Sequence, residues 1–135
     1  MIKYFLKIAV AGGFFAVLYQ LFNTIRFGCL LRNYRGHRFA RQLEFRHRRA
    51  ARSTFWTMTA SVIVTEITVR LYPYRPSPLF WVHVSCATLF FATVGLAVFA
   101  ITGRRDPRLH RVLAYLTIPF YAVALPSGLV LLYAL

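Results

Sequence analysis

Four histidines and one carboxylate are the residues of this sequence whose type and position could support chemistry. His47, His83 and His110 each stand near the start of a long apolar segment, whereas His37 lies in a basic stretch where we expect it to be solvated. A neutral imidazole can bind a metal ion or act as an axial haem ligand. Glu66 lies inside an apolar segment, and an ionisable group at membrane depth indicates a functional site because burying it unpaired is costly.

The elements that must position these residues are four apolar segments, at about 4–27, 54–72, 79–102 and 109–135. Each is close to the roughly 20 residues that cross a hydrocarbon core as a helix. A chain of 135 residues that is 59% apolar cannot bury so much apolar surface in one small soluble core. The sequence therefore predicts an all-α polytopic membrane protein, a single transmembrane domain over 1–135 built as a four-helix bundle.

The net charge of +14 comes mostly from two arginine clusters that separate the apolar segments. One lies at 28–52 and the other at 103–111; the arginines taken as topology and lipid contacts are Arg46, Arg48, Arg49, Arg52, Arg104 and Arg105. This arrangement follows the positive-inside rule, so we expect contact with anionic headgroups and no binding of nucleic acid. From Phe39 onward the first cluster has helix-forming composition, which indicates an interfacial or extended start of the second helix.

The same rule predicts that both termini lie on the outer side of the membrane. The first 21 residues resemble a signal peptide, but no clean small-residue cleavage site ends them, so we expect a retained first helix. Two cysteines, Cys29 and Cys86, form no disulfide or zinc pattern.

In this topology His47 and His110 share the cytoplasmic interface, whereas His83 and Glu66 lie near the outer one. His47 and His110 can meet if the second and fourth helices are neighbours, and could then hold haem or a metal ion; otherwise both are interfacial residues that bind water or lipid. Glu66 has two candidate partners. It could pair with His83 in a metal or proton site, or form an i,i+4 ion pair with Arg70.

Hydroxyl side chains recur at spacings of three and four on one face of the second helix, at Thr54, Thr57, Ser61, Thr65 and Thr68. Such a face is typical of helix–helix contacts within membranes. No hydrolase triad, phosphate loop or dinucleotide motif is present, and three carboxylates leave little for acid–base catalysis. We therefore do not expect an enzyme.

The order of the histidine segments resembles the bacterial domain-of-unknown-function family 420 over residues 40–135. The segments are Phe45-Arg46-His47-Arg48-Arg49, Trp81-Val82-His83 and His110-Arg111 followed by Thr117-Ile118-Pro119 and Gly128. Members of that family are small membrane proteins linked to assembly of haem–copper oxidases. The resemblance implies an accessory or assembly protein of a respiratory complex in the bacterial inner membrane, with haem or copper as possible cofactors and other membrane subunits as partners.

Two alternatives stay open from the residues themselves. The chain could be a structural subunit of a larger membrane complex without a cofactor. It could also be a small b-type haem electron carrier, in which His47 and His110 would be the one same-side pair of ligands.

Overall fold

The computed structural model describes residues 2–71, 76–100 and 107–134, and most of this chain is helical. Four long helices follow one another: α1 (Ile2–Asn33), α2 (Ala40–Leu71), α3 (Pro78–Gly95) and α4 (Pro107–Ala134). A π-helical turn, Leu96–Ala100, extends α3. The predicted all-helical fold is confirmed for the residues described.

The basic stretch between the first two apolar segments is mostly helical. α1 continues to Asn33, past the predicted end of the first apolar segment at 27, and α2 begins at Ala40, as the helix-forming composition from Phe39 onward indicated. Arginine, glutamine and leucine are good helix formers, so an exposed basic segment of this composition extends a helix at little cost. Only residues 34–39 form the connecting turn, in which Gly36 has a φ of 99° that other residues rarely adopt.

Three helical stretches are long and apolar enough to cross a membrane: Tyr4–Asn33, Pro78–Phe99 and Pro107–Tyr133. The predicted span 54–72 lies on α2 and is not among these candidates. Its threonines, together with Glu66 and Arg70, lower the hydropathy of a segment that is otherwise long enough. The described helices thus provide three candidate spans where we predicted four.

The four helices form two antiparallel hairpins, because α1 contacts α2 and α3 contacts α4 far more extensively than the hairpins contact each other. One apolar core joins the two hairpins; its buried members are Val17, Leu21, Met58, Phe90, Val94 and Tyr121. The Tyr121 hydroxyl also donates to the Phe14 carbonyl oxygen at 2.6 Å, which ties α4 to α1.

α3 begins with an N-cap, since the Ser77 hydroxyl accepts from the Phe80 N–H at 3.2 Å and Pro78 occupies the first helical position. Arg104 and Arg105, two of the arginines taken as topology and lipid contacts, lie outside the described residues.

Candidate functional site

His47 lies on the arginine-rich half of α2 and is directed toward α1. Its Nδ1 is 3.0 Å from the Thr24 carbonyl oxygen. Because a carbonyl oxygen only accepts, Nδ1 carries the proton and Nε2 keeps its lone pair. Gly28 makes the approach possible: a Cβ at that position would stand 3.2 Å from His47 Cε1.

The structure brings His110 of α4 against His47. Their ring centroids are 5.9 Å apart and their planes are nearly perpendicular, at 88°. Burial lowers the pKa of His47 below its ordinary value; the hydrogen bond to Thr24 opposes this shift, while His110 and Arg48 add to it. His47 is therefore held as the neutral imidazole, which is the form that binds metal ions.

The spacing of this pair is that of two imidazoles bound to one metal ion. With metal–nitrogen bonds of about 2.0 Å, two imidazoles on one ion have ring centroids about 5 to 6 Å apart. The pair supplies two ligands, and the part of the chain that the structure describes contains no group of three or more His, Cys, Asp or Glu able to hold a metal. A haem would also need room around the pair for its macrocycle, and the cavity between the helices lies at the other end of the bundle.

His83 occupies that other end, which we call the His83 end. Its Nδ1 is 3.0 Å from the Ala124 carbonyl oxygen and 3.2 Å from the Ser127 hydroxyl. The carbonyl again fixes the proton on Nδ1 and leaves the Nε2 lone pair free. Phe14 meets the ring edge-on with centroids 6.3 Å apart, and Gly128 leaves room for both rings.

A cavity of about 270 Å³ lies between all four helices at the His83 end. Val17, Met58, Phe90 and Leu125 are among its apolar walls, one from each helix. His83 and Glu66 both line it. The two histidine sites therefore lie at opposite ends of the bundle, with His47 and His110 together and His83 apart.

Glu66 forms an ion pair with Arg70, whose Nε is 2.8 Å from the carboxylate oxygen. Within residues 2–71, 76–100 and 107–134, no hydrogen bond joins Glu66 to His83. Of the two partners considered for Glu66, the structure shows Arg70.

The arginines predicted to set topology are exposed on one half of α2. Arg46, Arg48, Arg49 and Arg52 all face outward there, and Arg48 pairs with Glu44. His37 is exposed in the turn between α1 and α2, with its ring edge-on to Tyr34.

Sequence reasoning missed the groups that orient the histidines. Thr24 and Ala124 act through main-chain carbonyls, which every residue carries, so their identity gives no signal. A signal did exist in Gly28 and Gly128, because each glycine lies four residues after the carbonyl that its histidine contacts. A glycine at that spacing lets a ring from a neighbouring helix reach the backbone.

The fold and its sites define a small helical chain with three candidate membrane spans and oriented histidines at both ends. Comparison with protein-family models, with curated proteins and with solved structures finds no match for this chain.

Proposed function

We propose that the chain is a bacterial inner-membrane protein with four spans and both termini on the outer side. Support for the fourth span comes from the contacts between α1 and α2. The Thr54 hydroxyl is 3.0 Å from that of Thr24, and Ser61 fits against Gly13. If α1 crosses the bilayer, the part of α2 that packs along it must lie at the same depth.

The exposed arginines of α2 support the orientation, because lysine and arginine are enriched on the cytoplasmic side of membrane helices. Anionic headgroups are their partners at that surface. In this arrangement the His47–His110 pair lies near the cytoplasmic side and the His83 end near the outer side.

Within this membrane, we infer an accessory or assembly protein of a respiratory complex of the haem–copper oxidase type. The observation that carries the inference is the His47–His110 pair: two imidazoles from different hairpins, one oriented by a backbone carbonyl and held neutral. Copper suits imidazole ligands, and here it is the cargo. A site with only two protein ligands leaves coordination positions that a partner subunit can fill as it takes the ion.

The resemblance to domain-of-unknown-function family 420 supports the same role. The residues that carry it include all three histidines of the two sites. Other membrane subunits, with which the helices would share the bilayer, are the expected partners.

Titration of the purified protein with Cu(I) against a competing chromophoric chelator tests the site. We expect one ion per chain, with affinity reduced at least tenfold in His47→Ala and in His110→Ala. His37→Ala is the matched control, because that histidine is exposed in the turn and should leave binding unchanged. Equal affinity in all three variants would remove the basis of the copper proposal.

A gene deletion in the host tests the role. We expect lower oxidase activity, restored by the wild-type chain but not by His47→Ala. Normal oxidase activity and normal haem content in the deletion strain would contradict the assembly role, whatever the purified protein binds.

The second candidate is a structural subunit, and the exposed apolar face of α1 favours it. Large side chains cover that face, including Phe5, Phe15, Tyr19 and Phe22. They suit lipid and a neighbouring subunit equally well. This candidate predicts that alanine at His47 reduces assembly of the complex while the purified protein binds no copper.

The b-type haem carrier has the least support of the three, because the cavity between the helices lies at the His83 end, away from the His47–His110 pair. It predicts a Soret band in the purified protein, and a colourless preparation would eliminate it.

A further inference from the structure

The cavity at the His83 end is lined by apolar side chains and by a few polar ones that can form hydrogen bonds. Six polar side chains line it: Ser61, Thr65, Glu66, Thr68, His83 and Tyr121. The remaining lining residues are apolar apart from their backbone. What a molecule in this cavity can bind depends on which of the six still have a hydrogen to donate.

The hydroxyl hydrogens are all used within the protein. Each donates to a main-chain carbonyl: Ser61 to Thr57 at 2.9 Å, Thr65 to Ser61 at 2.8 Å, Thr68 to Val64 at 2.7 Å and Tyr121 to Phe14 at 2.6 Å. While these bonds are kept, the hydroxyl groups offer a ligand only their lone pairs.

The two remaining polar groups are also acceptors. His83 uses its Nδ1 hydrogen on the Ala124 carbonyl, which leaves the Nε2 lone pair. The Glu66 carboxylate, paired with Arg70, has only oxygens to present. Among the described residues that line the cavity, every polar side chain therefore offers an acceptor and none offers an uncommitted donor.

We propose that this cavity binds a lipophilic molecule that carries a hydroxyl group, of the phenol or hydroquinone type, which donates to His83 Nε2. An apolar wall selects an apolar body, and an acceptor-only lining selects a donor. A ligand with only carbonyl or ether oxygens would leave both sides of the contact without a hydrogen.

The size of the cavity sets the size of the ligand. A dry protein cavity of about 150 Å³ binds benzene. At about 270 Å³, this one accommodates a single ring with a short alkyl chain. Val62 and Glu66 both line the cavity and are exposed on α2, so a molecule dissolved in the bilayer can enter beside them.

Calorimetric titration of the purified protein in detergent with 4-propylphenol and with its methyl ether, 4-propylanisole, tests the proposal. The two molecules share a body, but only the phenol donates. Ala87→Leu fills the cavity from α3, so any heat that remains with this variant measures partition of the ligand into micelles. Ala92→Leu is its control, because it places the same side chain on the exposed face of that helix. We expect the phenol to bind about tenfold more tightly than the ether, as one hydrogen bond allows.

His83→Asn displaces the acceptor, because the asparagine amide can still donate to the Ala124 carbonyl while its Oδ1 stands near the position of the imidazole Cδ2, short of Nε2. We expect this variant to bind the phenol and the ether equally, and Ala92→Leu to behave as wild type. Propylhydroquinone and the isoprenoid alcohol geraniol, compared with the phenol, identify which source of hydroxyl binds most tightly.

Two results would overturn the proposal. One is binding to the wild type no stronger than to Ala87→Leu, which would show that the cavity takes none of these molecules. The other concerns the preference for the phenol over the ether. The proposal fails if the wild type shows no such preference, or if His83→Asn keeps the preference unchanged.

Discussion

Two adjacent glycines on α1 allow a quantitative test of how α1 meets α2. A Cβ at Gly13 would stand 2.7 Å from Ser61 Oγ and 3.1 Å from Ser61 Cβ, whereas a Cβ at Gly12 would meet nothing within 4 Å. Replacing either glycine by alanine stabilises the helix itself by the same amount, about 1 kcal/mol, because alanine has the higher helix propensity. Only the change at Gly13 also forces the two helices apart.

Overpacking a well-fitted contact costs about 1–3 kcal/mol. Gly12→Ala should therefore raise the free energy of unfolding by up to about 1 kcal/mol. Gly13→Ala should be less stable than Gly12→Ala by about 1–3 kcal/mol, since the helix propensity cancels in this difference. Adding Ser61→Gly to Gly13→Ala transfers the small residue to the other helix and should recover most of that loss.

The measurement is equilibrium unfolding in mixed micelles, followed by the fluorescence of Trp56 and Trp81 and repeated for each variant under one set of conditions. Equal stabilities for Gly12→Ala and Gly13→Ala would refute the close α1–α2 contact. The placement of the second half of α2 at membrane depth would then lose its support, because that placement depends on the α1–α2 contact.

Three further changes test the contacts that hold the sites. Gly128→Ala would bring a Cβ to 2.7 Å from His83 Cε1 and 2.8 Å from Phe14 Cζ. In the same unfolding assay it should lower the free energy of unfolding by about 1–3 kcal/mol, and it should shift the His83 ring resonances in NMR spectra. An unchanged spectrum would contradict the placement of that ring. Tyr121→Phe removes the donor to the Phe14 carbonyl and should cost about 1 kcal/mol, measured against the wild type, and a neutral result would mean that the bond does not form. Thr54 is 1% exposed, and its hydroxyl contacts the Thr24 hydroxyl of α1. Thr54→Val should lower the free energy of unfolding by about 0.5–1.5 kcal/mol, whereas Thr54→Ser should retain most of the stability.

Much of the helical architecture follows from the sequence, because long apolar segments separated by basic or proline-rich connections have few other solutions in a bilayer. The prediction that α2 starts near Phe39 is confirmed at Ala40. The predicted end of the first helix at 27 was too early, since α1 continues to Asn33 through residues that include the good helix formers leucine and arginine.

The candidate sites were predictable only in part. The helical positions of His47 and His110 allowed them to meet. Whether the two rings touch depends on how each helix is rotated about its axis, and that rotation is set by the packing of many residues together. The partner of Glu66 was one of two alternatives; the local i,i+4 pair with Arg70 needs no tertiary contact and is the one observed. The cavity gave no sequence signal, since it arises from side chains of four helices that do not fill the space between them.

The division of the bundle into two hairpins has a mechanical consequence. His47 belongs to the first hairpin and His110 to the second, and Phe14 likewise meets His83 across the same boundary. A small tilt of one hairpin against the other changes the separation of the paired imidazoles and the volume of the distant cavity in a single motion. We therefore expect a ligand bound at one end to change the geometry of the other end, because both ring contacts cross the boundary between the hairpins.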